Sequence, residues 1–111
     1  MATISNLFID QDADFTTTVT VNDSTGSALD LTSYTALAML RKSYQSSTAT
    51  TFTSAFVSPR TTGQITISLT DTQTAALESG RYVYDLVIID SSGTKTRVVE
   101  GIATVNPSVS R

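Results

Sequence analysis

A chain of 111 residues with a net charge of -3 and a pI near 4.5 has room for one two-layer core and excludes a second domain. It holds no cysteine and no histidine, which excludes disulfides, thiolate chemistry, imidazole bases and the usual pH switch. Its 7 basic residues are scattered among 10 acidic ones, so the clustered Lys and Arg of a nucleic-acid surface are missing, as is any apolar run near the ~18 residues of a membrane span.

The opening residues Met1-Ala2-Thr3-Ile4-Ser5-Asn6-Leu7 lack the basic segment and apolar stretch of a signal peptide. The reading is one domain over residues 1–111, soluble and made inside the cell. Ser and Thr dominate, and only 15% of residues are charged, against roughly a quarter in ordinary globular chains. A disordered Ser/Thr linker would share that composition without regularly spaced apolar residues. Regular spacing is present, so the reading is a β protein whose wet face is threonine, a β-branched polar side chain suited to a pleated surface.

In chain order, a first strand near Ile4 to Ile9 precedes Asp10-Gln11-Asp12-Ala13-Asp14, which has the spaced carboxylates of a calcium loop. The continuation fails, because Phe15 and Val21 stand where such a loop needs Gly and Glu. The segment reads as a solvated acidic turn, and no metal or other cofactor is expected. Phe15 to Val21 alternates, with Phe15, Thr17, Val19 and Val21 on one face and Thr16, Thr18 and Thr20 on the other. Turn formers follow from Asn22 to Ser27, and Leu29-Asp30-Leu31-Thr32 crosses the end of the domain.

The next strand, Tyr34 to Lys42, sets Tyr34, Ala36, Ala38 and Leu40 opposite Thr35, Leu37, Met39 and Arg41. A polar loop from Ser43 to Thr51, a short strand around Phe52 to Val57, and a break at Ser58-Pro59 lead into Gln64 to Thr70, with Ile65, Ile67 and Leu69 inward. Asp71 is the expected N-cap of a helical turn over Thr72 to Glu78. Tyr82 to Asp90, the hairpin Ser91-Ser92-Gly93 and Lys95 to Val105 complete about seven strands.

Thr74 to Leu86 is the most diagnostic stretch. A helical turn runs into a strand that opens on Tyr82, in the position of a tyrosine corner, where a phenol hydroxyl bonds back to the chain a few residues upstream. Tyr84 stands where antibody domains place a disulfide cysteine. The expected fold is an all-β, immunoglobulin-like, antiparallel two-sheet sandwich of about seven strands, with a short helical turn before the sixth, held by packing.

If Tyr82, Tyr84, Leu86 and Ile88 face the core, then Val83, Val87 and Ile89 face outward around Asp85. In a sandwich the Tyr34 and Tyr82 strands are neighbours, so Leu37, Met39, Val83 and Val87 would merge into one apolar patch. Single exposed apolar residues are ordinary; four in one patch read as a docking surface for another protein. The charged residues on these strands, Asp85 and Glu100 with Arg81 and Arg97, read as cross-strand ion pairs rather than catalytic carboxylates. No nucleophile elbow and no phosphate-cradling glycine loop occurs, so the chain reads as no enzyme and a small-molecule ligand is not expected.

The ordered series Asp14-Phe15-Thr16, Leu29 to Thr35, Leu40-Arg41-Lys42, Gly63 to Thr70, Thr72 to Leu77 and Gly80 to Leu86 resembles the small immunoglobulin-like β-sandwich domains of tailed-phage virion proteins. It is similar to the N-terminal domain of upper baseplate proteins and to short structural proteins of marine and cyanobacterial phages. The resemblance spans nearly the whole chain. It implies a non-enzymatic virion component, made in the host cytoplasm and attached to other particle proteins in many symmetric copies. Upper baseplate proteins continue into a coiled coil and a receptor-binding region, whereas this sequence reaches Arg111 directly after the sandwich. Capsid decoration and attachment at the neck, tail or baseplate therefore stand side by side. The extended ends, Met1 to Asn6 and Asn106 to Arg111, are expected to order against neighbours. The competing reading is a carbohydrate-binding module using Tyr44 and the polar loops Ser43 to Thr51 and Ser91 to Thr94.

Overall fold

The computed structural model describes residues 3–23, 25–43, 45–46 and 49–108, with side chains from residue 4 onward. Nine strand segments build two sheets. In chain order they are β1 (Thr3–Ile4), β2 (Leu7–Asp10), β3 (Phe15–Thr20), β4 (Thr35–Arg41), β5 (Thr50–Thr51), β6 (Thr53–Phe56), β7 (Gln64–Leu69), β8 (Gly80–Ile89) and β9 (Lys95–Asn106). The larger sheet runs β1-β9-β8-β4-β5, with β2 also on β9, and the smaller runs β3-β7-β6. β1 with β2, and β5 with β6, are each one strand with an interruption, which recovers the expected count of about seven. The fold is an all-β, immunoglobulin-like two-sheet sandwich. Pairing is antiparallel except at the first strand, where β1 and β2 run parallel to β9.

Alternation builds the core. Ile9, Leu31, Leu40, Ile65, Ile67, Leu86, Ile88 and Val105 are fully buried between the sheets. Phe52, in the break between β5 and β6, lies 6.2 Å from both the Phe15 and Tyr84 rings, centre to centre. At this residue the chain leaves β4 and joins β7, so one strand serves both sheets. The side chain that turns the corner is itself core.

The helical turn is α1 (Asp71–Ala75). Its N-cap is Thr70 rather than the expected Asp71: the Thr70 hydroxyl accepts from Gln73 N while the Gln73 side chain accepts from Thr70 N, a reciprocal capping box. α1 is also shorter than the expected span to Glu78. Asp14 accepts from Asp71 N at 2.8 Å and the buried Thr74 hydroxyl reaches Ala13 O at 2.9 Å, so the acidic turn serves to anchor α1. After α1, the Tyr82 hydroxyl donates to Glu78 O at 2.9 Å, the corner hydrogen bond spanning the approach to β8.

Residues 3–6, part of the end expected to order against neighbours, are held against β9 of the same chain. Ser5 N donates to Glu100 O at 2.9 Å, and Asn6 Oδ1 replaces a backbone acceptor for Ile102 N at 3.1 Å. The Ser5 carbonyl turns inward and accepts from the Tyr84 hydroxyl. That turn is open only because residue 101 is glycine, since a Cβ there would collide with the Ser5 carbonyl. At the other end Asn106 pairs with Asp10 and is likewise in the sheet; 109–111 lie outside the described residues.

Three loops use one device. Asp23, Asp30 and Asp90 each accept, through Oδ1, both the backbone N–H and the hydroxyl of the residue two positions on: Thr25, Thr32 and Ser92. These are Asx turns. Hydrogen bonding from the hydroxyl, then from backbone N–H groups, holds all three carboxyls below their ordinary value of 3.8. Burial pushes the Tyr82 and Tyr84 phenols above 10.0.

Two predictions follow from these contacts. Gly101→Ala should destabilise the fold by about 1–3 kcal/mol, the cost of overpacking against fixed backbone, read as a lower urea midpoint with unchanged slope. Stability should be flat across neutral pH, where no histidine titrates. Because the aspartates' folded pKa values are depressed, their contribution is complete above 3.8 and should be lost as pH falls through the lower folded values. The tyrosine values are raised, so that contribution holds below 10.0 and should fade as pH climbs past it. Urea midpoints across pH check both limbs.

Candidate interaction face

The outer face of the larger sheet is set by the pairing of β4, β8 and β9. Across the strands, Leu37 lies beside Val87 and Arg97, Met39 beside Asp85 and Glu100, and Arg41 beside Val83 and Ile102. The four residues singled out in the sequence, Leu37, Met39, Val83 and Val87, therefore share one face. They line a shallow groove of about 260 Å³ together with Arg41, Asp85, Arg97 and Glu100.

A β-bulge completes the arrangement. The β8·β9 register shifts between Leu86, opposite Val99, and Val87, opposite Arg97, which leaves Val98 as the extra residue. Side chains alternate faces, so one extra residue reverses the parity of everything beyond it. Val99, Ala103 and Val105 point inward, and without the bulge Arg97 would join them. With it, Arg97 turns outward and its Nε donates to Asp85 Oδ2 at 3.1 Å. This is the expected cross-strand ion pair, and it keeps Asp85 from standing unbalanced beside Glu100. Arg41 is held on the same face by a 2.6 Å bond to Ser46 O and a 3.8 Å contact with Met39 Sδ.

The face extends past the four predicted residues. The exposed large hydrophobic side chains among the described residues are Ile4 at 75%, Phe8 at 70%, Ile102 at 41% and Leu37 at 40%. Ile4 pairs with Glu100 and Phe8 with Thr104, both on the outward parity of β9, so all four lie on this face. Sequence reasoning missed Ile4, Phe8 and Ile102 because the parallel partner of the first strand and the parity of β9 past the bulge are long-range facts. The outward-before-inward alternation of Phe8 against Leu7 and Ile9 was the available signal.

The smaller sheet is the opposite. Its outer face carries Thr16, Thr18, Thr20, Thr53, Ala55, Gln64, Thr66 and Ser68, with the half-buried Val57 at one end and none of the exposed large apolar side chains. One sheet thus shows the solvent threonine, and the other shows it isoleucine, leucine and phenylalanine.

No family model matches the chain, and no curated protein matches it. Among solved structures it is similar to an internalin-like protein of Listeria monocytogenes, at 16% identity and a TM-score of 0.48, over 95% of this chain and 28% of that one. The chain thus spans under a third of that protein's length, and a likeness at this level carries no argument about function.

For the competing sugar-binding reading, Tyr44 lies outside the described residues. The other loop, 91–94, is folded as the Asx turn of Asp90, whose Oδ1 also accepts from Thr94 N at 2.9 Å. Of the described aromatic residues Phe8 alone is exposed, and it sits on a strand. Among the described residues no three acidic side chains gather to hold a metal ion.

The Arg97–Asp85 pair is well exposed, at 50% and 34%. Arg97→Ala should therefore cost under about 1 kcal/mol of stability, as surface ion pairs do; a thermal melt checks this, and a large loss would assign the pair to the fold instead of the surface.

Proposed function

We propose that the chain is a non-enzymatic structural subunit of a tailed-phage virion, bound to other particle proteins in multiple symmetric copies through the outer face of its larger sheet. The observation that carries the reading is the asymmetry between faces: every exposed large hydrophobic side chain among the described residues lies on one sheet. An apolar surface rimmed by charge is what a protein partner buries. Ten residues of β8 give a face about 33 Å long, and five strands give about 20 Å of width. That is on the order of 650 Å², close to the roughly 800 Å² per partner of a standard interface.

The groove also suits burial rather than turnover. Its carboxylates are Asp85, paired with Arg97, and Glu100; its cations are arginines; it contains no hydroxyl nucleophile beside a base. The resemblance of the ordered motifs to virion sandwich domains supplies the setting. Binding at the head as a decoration, or at the neck, tail or baseplate, uses the same chemistry.

The test joins localisation to mutation. Cryo-electron microscopy and quantitative mass spectrometry of purified virions should place the protein in the particle at fixed stoichiometry, with this face against a neighbour. Met39→Asp with Val87→Asp should lower incorporation by about ten-fold or more, the effect of losing a buried anchor, while the circular dichroism of the free protein stays unchanged. Absence from virions overturns the reading and favours a free adhesive module.

A further inference from the structure

We propose that the β3 edge of the smaller sheet is a self-association site, at which two copies of this chain pair β3 to β3 in antiparallel fashion across a two-fold axis. The inference does not depend on the apolar face, which lies on the other sheet.

Among the described strands β3 pairs only with β7. Val21 N donates to Gly63 O at 2.7 Å, which fixes the pattern of the ladder: Phe15, Thr17 and Val19 bond toward β7, so the N–H and C=O groups of Thr16, Thr18 and Thr20 point off the open edge. The side chains of those three threonines are exposed too. Six residues of strand open along one edge, with no charge and no proline, are a template for another strand.

The other sheet margins are shorter or interrupted, and β4 is uncovered by β5 only over its first residues, Thr35 to Leu37. β1 and β5 have two residues each, β2 ends in the charge of Asp10, and four-residue β6 runs into Pro59, with the Arg60 guanidinium 4.2 Å over the Phe56 ring.

A second copy fits because β3 is chemically self-complementary about Thr18. In an antiparallel pair centred there, Thr18 faces Thr18 of the second copy, and Thr16 faces Thr20 in both directions, so every outward N–H and C=O finds a partner. Cross-strand threonine contact already occurs in this sheet, where the Thr18 and Thr66 hydroxyls lie 2.9 Å apart. On the inward face Thr17 meets Val19 and Phe15 meets Val21. Phe15, Thr17 and Val19 are only half-buried because the sheet stops at β3, and a continued sheet would cover them. At the ends Asp14 faces Asn22, so no like charges meet.

Sedimentation equilibrium on the full chain tests this. The wild type should show a concentration-dependent dimer. Thr18→Pro deletes an edge N–H that makes no bond within the fold, and it should weaken the dimer on the order of ten- to a hundred-fold, since symmetry removes two bonds at once. Should that variant misfold, Thr16→Lys with Thr20→Lys leaves the backbone untouched and sets lysines opposite lysines, with the same expected weakening. Met39→Asp should leave the dimer constant unchanged. A protein that stays monomeric at every accessible concentration, or a dimer that survives the edge variants or is lost in Met39→Asp, overturns the proposal. Pairing instead with an added extended peptide, without self-association, also overturns it in favour of strand addition by a foreign segment.

Discussion

The fold turns on the parity of β8. It pairs along seven residues with β4 on one side and along its whole length with β9 on the other, and its alternation assigns Tyr82, Tyr84, Leu86 and Ile88 to the core and Val83, Asp85 and Val87 to the outer face. A slip of one residue would put the ionisable Asp85 inside and expose two tyrosines that hold other parts of the chain. Tyr82 ties β8 to the turn before it, and Tyr84 ties it to the first strand. The register is thus fixed twice, by hydrophobic burial and by two hydroxyls that reach their acceptors from one parity only.

Tyr84 also explains why the domain needs no disulfide. Its ring touches Phe52 at the point where one strand changes sheets, and its hydroxyl crosses to the Ser5 carbonyl above Gly101. One side chain thus packs on the residue where the chain changes sheets and ties the first strand to β8, from the position that holds a disulfide cysteine in antibody domains. Glycine at 101 is the geometric condition: a Cβ there would collide with the Ser5 carbonyl, so a larger residue has to displace the chain between β1 and β2.

Much of this was legible in the sequence because it is local. The alternation in β3, β4, β7 and β8 is a two-residue period that any reader can count, and the Thr74 to Leu86 stretch encodes its own corner. That Leu37, Met39, Val83 and Val87 share a face needed one further step, the adjacency of β4 and β8, which the sandwich architecture supplies. What stayed hidden is long-range or compensatory. The Val98 bulge looks like two adjacent valines in sequence, and only the partner strand shows that one of them is extra. The Asp-x-Thr and Asp-x-Ser turns at 23, 30 and 90 were readable as a repeated Asx signal, but they sat in segments read as turn formers, a crossing and a strand end before a hairpin, with no role assigned to the carboxylates. The N-cap of α1 went to Thr70 because Gln73, three residues on, completes a box with it that Asp71 cannot form with Thr74.

The sequence divides its apolar side chains unequally, and that division says more than the total does. A threonine face costs nothing in solubility and keeps β-propensity high, so the smaller sheet tolerates water on its outer side with no partner. The larger sheet has no such insurance: Ile4 and Phe8, the two most exposed apolar side chains, lie on its first strand, where a polar residue would satisfy the same backbone geometry equally well. Stability does not explain their presence, because they touch little of the core. The free fold gives these two side chains little to pack against, and in the groove on the same face the charges balance in sign, Arg41 and Arg97 against Asp85 and Glu100.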